Sequence, residues 1–184
     1  MLHGIQFTGY DPEELIWRNM PYGPFSTPSD LGRLIEANSA AEDSRILVVK
    51  SRVEQDLIGL ATYMNNSPTN LKIEIGGIWF TPAVQGTIFT KEALFLMIGH
   101  AFQIGYRRVE WKCDANNMKS RASAVSLGFT FEGIQQAHMI IKNRNRDTAW
   151  YRILAAEWPE IKSRILDHLE RAKRRHAKLP FRSS

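Results

Sequence analysis

The sequence predicts a mixed α/β fold, a sheet with helices packed on both faces. Three observations carry that reading. Short apolar runs at Ile46–Val49, Leu57–Tyr63 and Leu71–Phe80 follow one another as strands do. The apolar stretch Ala93–Ile104 has too many helix formers and too few β-branched residues for a strand of that length, so it reads as a buried helix. Val109–Cys113 then alternates, with Val109, Trp111 and Cys113 facing one way and Arg108, Glu110 and Lys112 the other, as in a half-buried strand.

The elements follow in order along the chain. Met20–Pro28 is rich in proline, glycine and aromatics and reads as an ordered loop with aromatic anchors, because its prolines lack donors and fix φ. Ser29 or Asp30 is positioned to cap a short helix through Leu31, Leu34 and Ile35. Asn65–Asn70 is a dense turn signal. Gly76-Gly77, inside the third strand, points to a bulge or a close backbone approach. The buried helix starts near Thr90, with Glu92 suiting the dipole of its first turn and Gly105 closing it. A helix over about Met118–Leu127 ends at Gly128. Strands follow around Phe129–Glu132, His138–Ile141 and Thr148–Ala155. A last helix runs from Pro159 with Ile161, Ile165 and Leu169 as its apolar stripe.

The 184 residues suit a single domain with a C-terminal helix and basic tail from about residue 159. Cys113 is the only cysteine, so no internal disulfide can form and packing must hold the fold, as in a reducing compartment. Met1–Tyr10 shows no basic start followed by an apolar run, and no stretch is long and apolar enough for a span, so the sequence reads as cytoplasmic, with no membrane partner. The net charge of +5 owes much to residues after Arg164, which makes charge a weak guide to partners. The basic tail reads first as a solvated helix end and second as a nucleic-acid patch. No cysteine and histidine spacing suggests a metal site.

Two stretches carry the chemistry. Pro82–Ala93 joins a strand end to a helix start, where free backbone N–H groups and the helix dipole favour an anion. Arg108–Phe129 contains Asn117-x-x-Ser120-Arg121 and the closing Leu127-Gly128-Phe129. Together with Gln85-Gly86-Thr87, Glu92-Ala93 and Asn143–Pro159, these resemble the GNAT acetyltransferases, in the branch of the ribosomal-protein N-terminal (Rim-type) enzymes. The likeness covers roughly Met20 to Leu169.

The resemblance implies a GNAT-like, mostly antiparallel sheet splayed at a central bulge, and acetyl-CoA as cosubstrate. The bulged strand, through Trp79 and Phe80, would pair with the pantetheine arm. Gln85, Gly86, Thr87, Ile88, Phe89 and Thr90 would hold the pyrophosphate, Asn117 would contact the arm, and Ser120 would lie near the thiol. The family loop carries a second glycine where this chain has Ile88, which implies strain and a looser phosphate geometry if φ is positive there. The tyrosine that many relatives use to protonate the leaving thiolate falls at Ala124, which makes Ser120 the candidate donor. The first family strand looks partly missing before Gly9.

Acetyl transfer to an amine requires the neutral amine, and so a base with a pKa raised toward neutrality. Glu74, just before the bulge, is the first candidate; the other reading has it pointing to solvent beside Lys72. Ser120 could instead bind backbone at a helix start, and Asn117 could be a helix cap. Glu110 and Asp147 read as structural partners of neighbouring cations, His100 and His138 as packed or surface residues, and Cys113 as a buried apolar residue. Trp17, the Met20–Phe25 loop and the Trp150–Tyr151 region would line the acceptor pocket, for an amine-bearing small molecule or peptide. A GNAT-like protein that binds acyl-CoA without catalysis is the alternative, and the oligomeric state, a homodimer included, stays open.

Overall fold

A computed structural model describes residue 11, residues 13–52 and residues 55–177. Six strands, β1 (Arg45–Lys50), β2 (Leu57–Ser67), β3 (Lys72–Phe80), β4 (Arg108–Asp114), β5 (Thr130–Ile141) and β6 (Arg144–Leu154), form one sheet in the order β1-β2-β3-β4-β6-β5. Every neighbouring pair is antiparallel except β3 and β4. Among the described residues the α-helices are α1 (Pro28–Ser39), α2 (Ile88–Gln103), α3 (Met118–Ser126) and α4 (Trp158–Ala177). The shortened first family strand falls on residues 1–10, outside the described residues.

Strand alternation divides the sheet chemically. Ile73, Ile75, Val109, Trp111, Cys113, Tyr151 and Ile153 face the core with α2, α3 and α4. The stripe Ile161, Ile165 and Leu169 is buried as its spacing requires, and Trp158 lies between Phe95 and Phe102 at ring-centroid distances of 5.5 and 5.4 Å. The opposite face carries Glu74, Glu110 and Lys112, and is met by the aromatic segment that leads into α1. Glu110 pairs there with Lys72 and Arg108, at 3.3 and 2.7 Å.

Several boundaries differ from the sequence reading. Thr27 caps α1, in a reciprocal box with Asp30 and with Pro28 as first helical residue, so Ser29 and Asp30 lie inside the helix. Helix α2 begins at Ile88, two residues before Thr90, which makes Glu92 its fifth residue; Glu92 pairs with Lys173 of α4 at 2.9 Å instead of serving the first turn. Gly105 and Gly128 do close their helices: the Tyr106 N–H donates to Ala101 O and the Phe129 N–H to Ala124 O. The two strands expected between residues 129 and 141 are one, β5, with irregular pairing around Gly133 and between Gln135 and Met139. β6 begins at Arg144, because Lys142 and Asn143, at φ 48° and 61°, make a two-residue hairpin turn.

Candidate active site

β3 and β4 pair only over Lys72–Glu74 and Arg108–Glu110. Beyond that point the strands part, leaving a slot between Ile75–Trp79 and Trp111–Asp114 that no pairing bridges. The cause lies on the other side of β3. Thr62 pairs with Gly76 and Leu60 with Trp79, so Gly77 and Ile78 face the single residue Ala61 in a bulge. Gly77 sits at φ 56°, and a Cβ there would stand 2.9 Å from Thr62 Oγ1. Gly76 is as constrained: its Cβ would meet Met64 Sδ at 2.5 Å and Glu74 Oε1 at 3.0 Å. Unpaired main-chain groups at the middle of a sheet call for polar partners, which an amide-bearing arm can supply.

Glu74 stands where the slot closes, as the last residue of β3 to pair with β4. It is 2% exposed, which removes the reading that it points to solvent beside Lys72. Its Oε2 accepts from Asn65 Nδ2 at 2.6 Å and pairs with Lys112 Nζ at 3.0 Å. Burial pushes its carboxyl above the ordinary glutamate value, against the opposing pull of Lys112 and Asn65. The arrangement is a buried carboxylate held at one oxygen, with its affinity for a proton raised by burial. Lys112 in turn lies over the Trp150 ring, 5.3 Å from its centroid.

The loop after β3 ends in a helix start with no side-chain cap. Gln85 Nε2 donates to Phe80 O at 3.0 Å and ties the loop to the strand. The N–H groups of Gln85 and Thr87 go to Pro82 O and Val84 O, and the hydroxyls of Thr87 and Thr90 donate to Val84 O and Thr87 O. What this leaves without a side-chain partner is backbone N–H at the first turn of α2. No side chain caps α2 and its first turn holds no acid, whereas α1 and α3 are capped by Thr27 and Asn117. Lys91 adds charge; burial, and then Arg164, hold its ammonium below the ordinary lysine value. The left-handed position is Gly86, at φ 72°. Ile88 is the first helical residue and has no positive φ, so the strain expected for it is absent. Of the other cofactor candidates, Phe80 is buried in the core, Trp79 packs on Trp17 with centroids 5.5 Å apart, and Phe89 is exposed at the helix start.

Across the slot, Asn117 Oδ1 caps α3 by accepting from the Ser120 N–H at 3.1 Å, and its Nδ2 has no partner among the described residues. Ser120 Oγ accepts from Trp111 Nε1 at 3.1 Å, which polarises its own O–H toward donation. Ser120 and Glu74 thus lie on opposite faces of the sheet, with the slot between them. Ala124 is fully buried.

On the Glu74 face, Trp17 is fully buried and packs against Tyr22 and Phe25. Burial pushes the Tyr22 phenol up to about 12, so it stays protonated beside the bulge at Gly77. Tyr151 does not join this wall: it is buried on the core side, where its hydroxyl accepts from Arg121 Nε at 3.0 Å, and only Trp150 of that pair faces Lys112. His138 packs on Trp150 and meets Thr148 Oγ1 at 2.9 Å. Asp147 accepts from the Ala137 N–H and from Asn145 Nδ2, amides where a cation was expected. Sequence reasoning missed Asn65 and Lys112 as partners of Glu74. The only signal for Lys112 was its place on the polar side of β4, and Asn65 had none. Among the described residues no group of three or more His, Cys, Asp or Glu is placed to hold a metal ion, and no helix is long and apolar enough to cross a membrane.

The family model of the acetyltransferase (GNAT) domain matches residues 6–130. Among solved structures, a GCN5-related N-acetyltransferase from Brucella melitensis is 33% identical with a TM-score of 0.82, over 91% of this chain and 77% of that one. A probable GNAT acetyltransferase from Chromobacterium violaceum is 35% identical with a TM-score of 0.78, over 86% and 78%. A spermidine N-acetyltransferase, SpeG, from Vibrio cholerae shares the fold at 21% identity, with a TM-score of 0.62 over 73% and 79%. No curated protein matches the chain. With the splayed sheet, the bulge and the uncapped helix start in place, these matches establish that the chain belongs to the GNAT family of acetyltransferases.

Proposed function

We propose that this protein moves an acetyl group from acetyl-CoA to a primary amine by direct attack of the amine on the thioester. The observation that carries the proposal is the conjunction of an uncapped helix N-terminus at one end of the β3–β4 slot and a buried, pKa-raised carboxylate at the other. The residues present fit the cosubstrate. N–H groups of Gly86, Ile88, Phe89 and Thr90 would meet the pyrophosphate, the unpaired edge of β3 up to Trp79 and Phe80 would take the pantetheine amides, and Asn117 Nδ2 would hold the arm from the far side. Gln85 and Thr87 serve by shaping the loop.

Acetyl-CoA supplies an activated acyl group when bound. Glu74 takes the proton of the attacking amine at Oε1, while Asn65 and Lys112 fix the other oxygen. A backbone N–H of the bulge polarises the carbonyl. Ser120, polarised by Trp111, would donate a hydrogen bond to the leaving thiolate from the opposite face, and the proton taken by Glu74 passes to solvent as the products leave. Alanine at 124, together with Asn117 and Ser120-Arg121, supports a place near the Rim-type branch. The single cysteine supports a cytoplasmic site of action, and one core cluster running from Ile58 to Leu169 supports a single domain.

The test is release of free thiol from acetyl-CoA by the purified protein with a panel of primary amines, each beside its N,N-dimethyl analogue, which has no proton to lose. The proposal expects turnover with primary amines alone. Tight binding of acetyl-CoA with no turnover of any amine would contradict it and leave an acyl-CoA-binding protein.

A further inference from the structure

On the Glu74 side, beyond Trp150, lies a second polar feature that the transfer chemistry does not use. Arg18, from the turn after Trp17, and Arg144 and Arg146, from the start of β6, line a cavity of about 150 Å³ together with Asn116, Asn145 and Asp114. That space admits a carboxylate with the few carbons that carry it. Arg144 and Arg146 bring two guanidiniums to this lining, and Asp114, whose Oδ1 accepts from the Asn116 N–H at 2.8 Å, is its one acid among the described residues. Neither Arg144 nor Arg146 forms an ion pair among the described residues. Arg146 Nε is buried with no hydrogen-bond partner among them.

The cavity is built into the fold. Its Arg18 wall is fastened to the β5–β6 hairpin by Lys142, whose ammonium donates to Trp17 O at 2.9 Å and pairs with Glu13 at 2.8 Å. Its place relative to the chemistry follows from strand geometry. Lys112, which holds Glu74, and Asp114 are two residues apart on the same side of β4, about 7 Å along the strand. An extended acceptor advances roughly 3.3–3.6 Å per residue. A group two or three residues from the reacting amine therefore reaches the arginines.

We propose, resting on the transfer reaction above, that the acceptor is an amine carrying a carboxylate two to three residues' length from its nitrogen, held by Arg144 and Arg146. Either a short ω-amino acid or an acidic peptide N-terminus offers this chemistry. A polyamine does not, because its second cation would meet guanidiniums.

The experiment compares kcat/KM for 6-aminohexanoate, hexylamine and 1,6-diaminohexane, and for the C-terminally amidated tripeptides of sequence Ser-Ala-Glu and Ser-Ala-Gln, in wild type and in the double variant Arg144→Gln, Arg146→Gln. Wild type is expected to favour a carboxylate acceptor over its neutral counterpart by roughly tenfold or more. The double variant is expected to lose that preference while hexylamine turnover stays within about twofold. The zwitterion and peptide arms identify the source. Preference for the diamine in wild type, or a carboxylate preference that survives in the double variant, would overturn the inference and leave the transfer reaction standing. No turnover with any amine would remove the reaction and this inference together. Wild-type selectivity decides the substrate class even if the variant folds poorly.

Discussion

Replacing Glu74 by glutamine changes one proton-accepting group and almost nothing in shape. The amide oxygen can still accept from Asn65 Nδ2 and Lys112 Nζ, which now meet Oε2 at 2.6 and 3.0 Å. The amide nitrogen then takes the place of Oε1 beside Gly76 and Met64. The variant should therefore fold. A positioned general base contributes roughly 10²–10⁴-fold, so kcat should fall by that factor, or about 2.7–5.4 kcal/mol of barrier. The KM for acetyl-CoA should stay within about twofold, because Glu74 lies at the slot's closed end, away from the phosphate loop. The pH profile has a definite sign. Burial raises the Glu74 pKa, so wild-type kcat/KM should rise with pH through a limb above the ordinary carboxylate range, and the variant should lack that limb. Stability runs the other way. A carboxyl whose folded pKa lies above its unfolded value holds its proton more tightly when folded, so its contribution falls as pH rises from the unfolded pKa through the folded one. Above that window the glutamine variant should melt no lower than wild type. Thiol release measured across pH, with a melting curve at each point, reads both. A variant that keeps kcat within about threefold, or keeps the acid limb, would refute Glu74 as the base.

Three further substitutions separate the parts of the site. Gly77→Ala forces alanine into a left-handed conformation against Thr62 Oγ1, and should cost about 1–3 kcal/mol, read as a midpoint lower by roughly 2–12 °C, with weakened acetyl-CoA binding. Gly86→Ala has open space around its Cβ and pays only the conformational term of about 1–2 kcal/mol, so calorimetric titration should show acetyl-CoA affinity falling more than stability. Lys142→Met removes the charged hydrogen bond to Trp17 O, and should cost about 1.5–3 kcal/mol and raise the acceptor's KM while acetyl-CoA affinity is kept.

What was legible in the sequence was what is local. The alternation of Val109–Cys113 fixed both faces of β4. The spacing of Ile161, Ile165 and Leu169 gave the buried side of α4, and Gly76-Gly77 marked the bulge that opens the sheet. Some misses had a local signal. Thr27 stands three residues before Asp30, the spacing of a capping box, and alternation alone requires Trp150 and Tyr151 to face opposite ways. The β5–β6 turn was hidden because it uses Lys142-Asn143 where a glycine would have announced it. The rest is non-local. Asn65 meets Glu74 because β2 pairs with β3 in the register that sets Met64 beside Glu74, and Lys112 arrives by the parallel pairing of β3 with β4. The arginine cavity joins a turn near residue 18 to a hairpin some 125 residues later, as the Lys142 to Trp17 bond spans. No periodicity along one segment encodes such meetings.

The central claim is that the slot and the uncapped α2 terminus bind acetyl-CoA. Thermal unfolding with and without acetyl-CoA at about 100 times its dissociation constant tests it most directly. Binding to the folded state alone should add about 2.7 kcal/mol, a rise of roughly 5–11 °C for a chain of this size. The same concentration of acetate and free adenosine should do nothing. An unchanged midpoint across the micromolar to millimolar range, in a protein that unfolds cooperatively, would contradict the account.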